Sequence, residues 1–128
     1  MAQMFGMPPM LSLKRSSQSG TFTMTAAWQT VYEESCAQPY LFGGAEIDLT
    51  NMQALDSISV RIEKTFVSGG AWVVHDLETY VGVQPAAHMA VGISGMIDVY
   101  GVRISMQQTV GGLRNIDCEF TDAKRLGL

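Results

Sequence analysis

The sequence predicts an all-β protein, in which an antiparallel β-sandwich or jelly-roll-like domain (residues 21–128) follows an extended N-terminal arm (residues 1–20). Three observations predict this fold class. Apolar and polar residues alternate in roughly seven or eight runs, as they do in strands that bury one face. Turn signals rich in glycine and proline separate the runs, which is typical of an antiparallel sandwich or a small barrel. No strand–helix–strand alternation occurs, so a parallel nucleotide-binding sheet is not expected.

The composition fits one domain with a substantial core and a partly covered surface. The chain has 128 residues, of which 47% are apolar, too many for a disordered protein. Charged residues make up only 16%, against about a quarter in ordinary soluble domains. We therefore expect partners to cover part of the surface. The net charge of −4 offers no basic surface, so we expect neither direct nucleic-acid binding nor membrane binding.

Two features bear on where the chain is made. No apolar run approaches the ~20 residues that a membrane-spanning helix needs. The first residues, MAQMFGMPPMLSLKR, lack the basic region with which a secretory signal begins. We therefore expect a product of the cytoplasm that carries no targeting signal of its own.

The N-terminal arm is apolar but cannot form a stable helix. A methionine recurs at every third position from Met1 to Met10, and Pro8 and Pro9 interrupt any helix. The polar stretch KRSSQSG (14–20) then predicts a flexible link. Because large apolar side chains are unfavourable in water, we expect the arm to dock on a neighbouring subunit or another partner. The expected assembly contacts are Met4, Phe5, Met7, Pro8, Pro9, Met10, Leu11, Lys14 and Arg15.

The first half of the domain predicts two strands separated by a loop. FTMTAAWQTVY alternates, with a change of phase near Ala26 and Ala27 that could mark a β-bulge. CAQPYLFGGA contains Pro39 and the pair Gly43 and Gly44, and therefore predicts a loop. AEIDL predicts a short strand, and TNMQALD a connection.

Two central strands follow. SISVRIEKTFV alternates cleanly, which places Ile58, Val60 and Ile62 inward and Ser59, Arg61 and Glu63 outward. AWVVHDLETYVGV predicts another strand, but apolar residues occur at both parities, so its inner face stays ambiguous. Pro85 then predicts a loop.

The last part predicts a short strand, MAVGI, and then a hairpin. MIDVYGVRISMQQ places Val102, Ile104 and Met106 inward, and Gly101 within it indicates a bulge or a close backbone approach. LRNIDCEF returns after the turn TVGG. We expect these two strands to pair, with Ile116, Cys118 and Phe120 buried.

No residue pattern indicates catalysis, so we expect no enzyme activity and no cofactor. His75 and Asp76 should face opposite sides of their strand, and Cys36 and Cys118 form no CxxC motif and are expected to be free thiols. Two same-face carboxylate pairs are candidates for Ca²⁺, although a solvated outer face is the commoner meaning; they are Glu46 with Asp48 and Asp117 with Glu119. The aromatic residues are expected mainly in the core, and a sugar-binding face is the alternative.

Two stretches resemble a group of small β-rich virion proteins from tailed bacterial and archaeal viruses. Ile47 to Arg61 matches an IDL-x-x-hydrophobic-x-x-x-D-x-I-x-V-R stretch, and Tyr100 to Gly111 matches Y-G-V-x-I-x-x-x-Q-T-x-G. The resemblance covers about residues 42–120; the methionine-rich arm and Val110-Gly111-Gly112 depart from it. It implies a bacteriophage-type virion component, a capsid decoration or cement protein, with no catalytic residues.

That resemblance leads to a set of functional expectations. We expect a homo-oligomer, for which a trimer is one candidate, that docks on the major capsid protein within the virion. A head-completion or tail protein, and a carbohydrate- or ligand-binding module on a virion surface, stay open as alternatives.

Overall fold

The structure, a computed structural model, describes residues 11–125 and confirms the all-β fold class. The described residues form eight strands and one 3-10 turn at Ala86–His88, and every strand pairing is antiparallel. The strands are β1 (Leu11–Arg15), β2 (Gly20–Thr23), β3 (Gln29–Asp48), β4 (Ser57–Thr65), β5 (Val73–Val81), β6 (Ala90–Ile93), β7 (Met96–Val110) and β8 (Asn115–Arg125).

The strands form a jelly-roll-like sandwich of two layers, and the long strand β3 belongs to both of them. The strand order is β1-β8-β3-β7-β4-β5, with β2 also beside β8 and β6 beside β3. The first part of β3, up to Phe42, pairs with β7. The part from Leu41 to Asp48 pairs with β8, and Ala45 to Asp48 also pair with β6 on the other side. One layer therefore contains β1, β2, β8, β3 and β6, and the other contains β3, β7, β4 and β5.

The predicted loop CAQPYLFGGA was wrong, because these residues form the bent middle of β3. The pairing shifts between Ser35 and Tyr40 and again between Phe42 and Gly44, so β-bulges accommodate Pro39 and bend the strand. Gly44 has φ +109°, and a Cβ there would lie 2.7 Å from the carbonyl oxygen of Ile93. Glycine and proline therefore mark a bend between the layers here rather than an end of the strand.

The core lies between the layers and confirms the predicted inner faces. Ile58, Val60, Ile62, Val102, Ile104, Met106, Ile116, Cys118 and Phe120 are all buried. Tyr32 packs against Phe42 and Phe120, with ring centroids 5.2 and 4.9 Å apart. Gly101 confirms the expected close approach, because a Cβ there would lie 3.0 Å from both Thr65 Oγ1 and the Trp72 ring.

The predicted outer face of β4 is confirmed, whereas the predicted pairing of the last two strands was wrong. Ser59 and Glu63 face outward as expected, yet both are buried. The expected hairpin across TVGG does not form: β7 lies between β3 and β4, and β8 lies beside β3 in the other layer. Alternation had shown which side of each strand is apolar, but it carries no information on which strand lies alongside. The chain between β7 and β8 crosses from one layer to the other.

Asp56 and Arg114 join this crossing to the start of β4. Arg114 donates to both Asp56 carboxylate oxygens, at 2.7 and 3.2 Å, and the backbone N–H of Gln53 donates to the same carboxylate at 2.8 Å. The Asp56 carboxylate is buried, so these donors take the place of water. The hydrogen bond from Arg114 lowers the pKa of Asp56 below its usual range, and the Gln53 N–H acts in the same direction.

This carboxylate should contribute to acid sensitivity. A carboxyl whose pKa is lower in the folded than in the unfolded chain stabilises the fold above its unfolded pKa of ~3.9, and this contribution is lost as pH falls through the folded value. We expect Asp56→Asn to melt at a lower temperature than wild type at pH 6 and to lose less of its melting temperature between pH 6 and pH 3. Glu119→Gln, at an exposed ion pair, is the control. Equal pH dependence of wild type and Asp56→Asn would contradict the assignment.

The predicted flexible link at residues 14–20 was wrong. Lys14 and Arg15 end β1 and pair with Asp122 and Thr121 of β8. The buried Ser16 donates its N–H to Phe120 O at 2.7 Å. The side-chain amide of Gln18 bonds both backbone groups of Glu33, at 2.8 and 2.9 Å, as a neighbouring strand would. Residues 11–20 are therefore part of the sandwich, whereas residues 1–10, the leading segment, lie outside the described residues.

Candidate assembly surface

Some of the residues that were expected to make assembly contacts lie in β1, and the others precede it. Leu11, Lys14 and Arg15 lie in β1, where Lys14 and Arg15 are exposed. Arg15 forms an ion pair with Glu119 at 3.3 Å, and an exposed pair of this kind stabilises little. The other six expected contacts lie in the leading segment, so their role stays a prediction; they are Met4, Phe5, Met7, Pro8, Pro9 and Met10.

Neither cysteine forms a disulfide in the structure, as expected. Cys118 is buried with its Sγ 3.8 Å from Met106 Sδ, and burial raises the pKa of this thiol to about 12. A thiol with so high a pKa is a poor nucleophile at neutral pH. Cys118 therefore serves the packing of the core.

The register of β3 and β8 brings the two candidate carboxylate pairs together. Glu46 lies opposite Glu119, and Asp48 lies opposite Asp117. All four are exposed and line a groove of about 670 Å³ beside Arg15. Hydrogen bonds from the Thr50 hydroxyl and N–H lower the pKa of Asp48.

Three of these carboxylates, those of Asp48, Asp117 and Glu119, already have partners within the sandwich. The Thr21 hydroxyl donates to Asp117, and Arg15 pairs with Glu119. Within residues 11–125, no group of three or more histidine, cysteine, aspartate or glutamate side chains is arranged to hold a metal ion. The groove is therefore an acidic strip, and its geometry gives no support to the Ca²⁺ hypothesis.

Two arginine–tryptophan stacks cover the outer face of β4 and β7. The Arg61 guanidinium lies 4.3 Å from the Trp28 ring centroid, and the Arg103 guanidinium lies 4.6 Å from that of Trp72. Glu63 lies between them, 2.9 Å from Arg103 Nε and 3.6 Å from Arg61 Nε. The hydrogen bond from Arg103 lowers the pKa of Glu63. This network explains why the outward-facing Glu63 is only 7% exposed.

The strand β5 presents apolar side chains to solvent on an unpaired edge. Among the described strands it pairs with β4 alone. Val74 and Leu77 are 53% and 54% exposed, and Val73 and Val81 are exposed as well. A long apolar edge strand offers unpaired N–H and C=O groups and is a template for another strand. The sequence had indicated this strand, but apolar residues occur at both its odd and its even positions, which does not fit a strand with one buried face.

A groove of about 280 Å³ runs along the inner side of β5. The residues that line it come from β4, β5, β6 and the start of β7. His75 and Asp76 both line it, which corrects the prediction that they face opposite sides. The pairing shifts between Ile62 and Glu63, so His75 is an extra residue in a β-bulge. The apolar lining consists of Val60, Ile62, Tyr80, Val91, Ile93 and Met96.

The fold resembles that of a protein from a virus particle. The chain is similar to VP2 in the crystal structure of the infectious bursal disease virus VP2 subviral particle, with a TM-score of 0.51 and 9% sequence identity. The match covers 90% of this chain and 32% of the VP2 chain, so this chain spans about a third of that protein. At this identity the likeness is one of fold.

Other comparisons give no relative. No protein-family profile matches the sequence, and no curated protein matches it. In residues 11–125 there is also no helix that is long and apolar enough to cross a membrane.

Proposed function

We propose that the chain is a non-enzymatic structural protein of a virus particle, a capsid decoration or cement protein. In this proposal its copies associate with one another and dock on the lattice of a major capsid protein through the β-sandwich and the leading segment. The observation that carries the proposal is the match of 90% of the chain to the sandwich fold of a protein from a viral particle. Its place is the virion.

The surface supports a role in assembly. Charged residues are only 16% of the chain, and β5 leaves an apolar strand edge in water. Monomeric proteins usually protect such an edge with charges, bulges or a covering segment, and in β5 the bulge at His75 and the carboxylates of Asp76 and Glu78 protect the inner side. A neighbouring subunit in a shell would cover the apolar side chains that stay exposed on the outer side.

A carbohydrate-binding module would need an exposed aromatic platform. The tryptophan rings of Trp28 and Trp72 are half-buried and stacked by Arg61 and Arg103, so guanidinium groups already occupy the ring faces that a sugar would use. The structure therefore favours an assembly role over sugar binding. Head-completion and tail proteins would share the sandwich and the need for subunit contacts.

Deletion of the leading segment tests the assembly role. Because Leu11–Arg15 pair with β8, the deletion should stop at residue 10 and leave β1 intact. We expect the truncated chain to keep the melting temperature of the dissociated wild-type chain within about 3 °C, an interval smaller than a ~1 kcal/mol change would produce in a small domain. We expect it to elute as a monomer in size-exclusion chromatography with light scattering, whereas the full chain elutes as an oligomer.

A full-length variant controls for chain length in this experiment. Met4, Phe5, Met7 and Met10 are replaced by serine, which keeps the segment but removes its large apolar side chains; this is the polar-segment variant. It should also elute as a monomer. Oligomers of unchanged size from both altered chains would remove the leading segment from the mechanism.

A further inference from the structure

We propose that β5 is the acceptor for the leading segment, and that residues 1–10 of a second copy add a strand to its free edge. The inference rests on the proposed function, because it names the surface through which the copies associate. The leading segment of one copy would bind the edge of β5 of another copy, together with the groove along the inner side of that strand.

The strand β5 is accessible on both of its faces. Leu77 and Val74 are exposed on the face that continues the outer side of β4, since they lie opposite Arg61 and Glu63. On the other face, Tyr80 borders the groove beside two carboxylates, those of Asp76 and Glu78. A strand added to this edge would therefore meet apolar side chains on its outer face and a mixed, partly apolar surface on its inner face.

The leading segment, MAQMFGMPPM, carries apolar residues at both odd and even positions. In an extended chain, alternate side chains point to opposite faces, so Met4 and Met10 lie on one face and Phe5 and Met7 on the other. Apolar residues at both parities are typical of a strand buried on both sides. Unbranched methionine side chains fill irregular grooves well. Proline cannot donate a backbone hydrogen bond and is tolerated in an edge strand only where its nitrogen faces away from the neighbouring strand. The nitrogens of the consecutive Pro8 and Pro9 face opposite sides, so regular pairing with β5 would involve residues 1–7.

The groove next to the edge suits these side chains. Its floor contains Val60 and Ile62, its far wall contains Val91 and Ile93 of β6, and its volume is about 280 Å³. Asp76 and Glu78 also line it. The leading segment contains no acidic residue, so it brings no like charge to them.

The chain's own segment is poorly placed to fill this site. It precedes β1, which lies at the opposite end of the strand order from β5. To pass β8 and β3 and reach the β6 side, it would cross three strand spacings, about 14 Å, which takes four or five residues at ~3.3 Å each. About five residues would then remain to pair along β5, which has nine. A segment from another copy can place all of residues 1–7 along it.

The experiment mixes two variants, each of which lacks one half of the proposed contact. Leu77→Lys places a charge on the outer face of β5, and the polar-segment variant has an intact β5 but an altered donor. We expect each variant alone to show a dissociation constant for self-association raised at least about tenfold by sedimentation velocity. Mixed in equal amounts, they should form a species of twice the 13.9 kDa chain mass, because the segment of the first can bind β5 of the second.

A lysine substitution at an equally exposed leucine away from β5 is the matched control. Leu113→Lys alters a side chain with the same 54% exposure in the crossing between β7 and β8, and should keep the wild-type constant within about twofold. No complex in the mixture, equal effects of Leu77→Lys and Leu113→Lys, or a polar-segment variant that still dimerises through β5 would each overturn the inference. A wild-type chain that stays monomeric throughout would overturn the proposed function itself.

Discussion

Phe120→Ala should lower the free energy of unfolding by about 3–5 kcal/mol, the range found when a large aromatic residue is removed from a core. Phe120 is fully buried, and its ring lies 4.9 Å from that of Tyr32. Its strand, β8, also pairs with β3 and, through β1 and β2, with the first described residues. The change therefore leaves a cavity where several strands meet.

Chemical denaturation at equilibrium measures this loss, with Phe66→Ala as the matched control. Phe66 is 64% exposed, so the same substitution there should cost less than about 1 kcal/mol. Both variants should be measured in the polar-segment background, so that dissociation of subunits does not contribute to the unfolding signal. A loss below about 1 kcal/mol at Phe120 would mean that its ring does not lie in the core.

Gly111→Ala should cost at least about 2 kcal/mol, because it combines backbone strain with a steric clash. Gly111 has φ +95°, a conformation that residues with a Cβ rarely adopt. A Cβ at this position would overlap the Asp56 carboxylate and lie 3.2 Å from Asp56 Cα. The carboxylate would have to move, and its two hydrogen bonds from Arg114 would be lost.

The neighbouring glycine supplies the control. At Gly112 the nearest atom to a Cβ is Arg114 Nη1 at 3.5 Å, an ordinary contact distance. Gly112→Ala should therefore change the free energy of unfolding by less than about 0.5 kcal/mol in the same denaturation experiment. Equal losses at the two positions would contradict the described conformation of the crossing between β7 and β8.

The sequence predicted local features well. The alternation in SISVRIEKT placed Ile58, Val60 and Ile62 in the core. The absence of a disulfide between the two cysteines and the close approach at Gly101 were also as expected. These features depend on the side-chain period of a strand and on the size of single residues. Both are visible in the sequence itself.

Features that depend on distant strands were not predictable. Pro39 and the glycine pair at 43 and 44 normally end a strand, and only the pairing of β3 with strands in both layers shows that they bend it. Glu63 is buried because Arg61 and Arg103 approach it from two strands. Alternation shows which face of a strand is apolar, but it does not show which strands lie alongside, so it cannot predict such neighbours.

The candidate site was predicted only in part. The apolar pattern of the leading segment indicated a docking element, but nothing in it specified the surface to which it binds. The ambiguous parity of AWVVHDLETYV was the available signal for β5, since a strand with apolar residues on both faces needs cover on both. Glu46 lies opposite Glu119 because of the register between β3 and β8, which the sequence does not show.

Sedimentation velocity of the unmodified full-length chain across a wide concentration range tests the central claim most directly. If the chain is a self-associating part of a virus particle, species at multiples of 13.9 kDa should appear and increase with concentration. A single species of 13.9 kDa at every concentration would contradict the account.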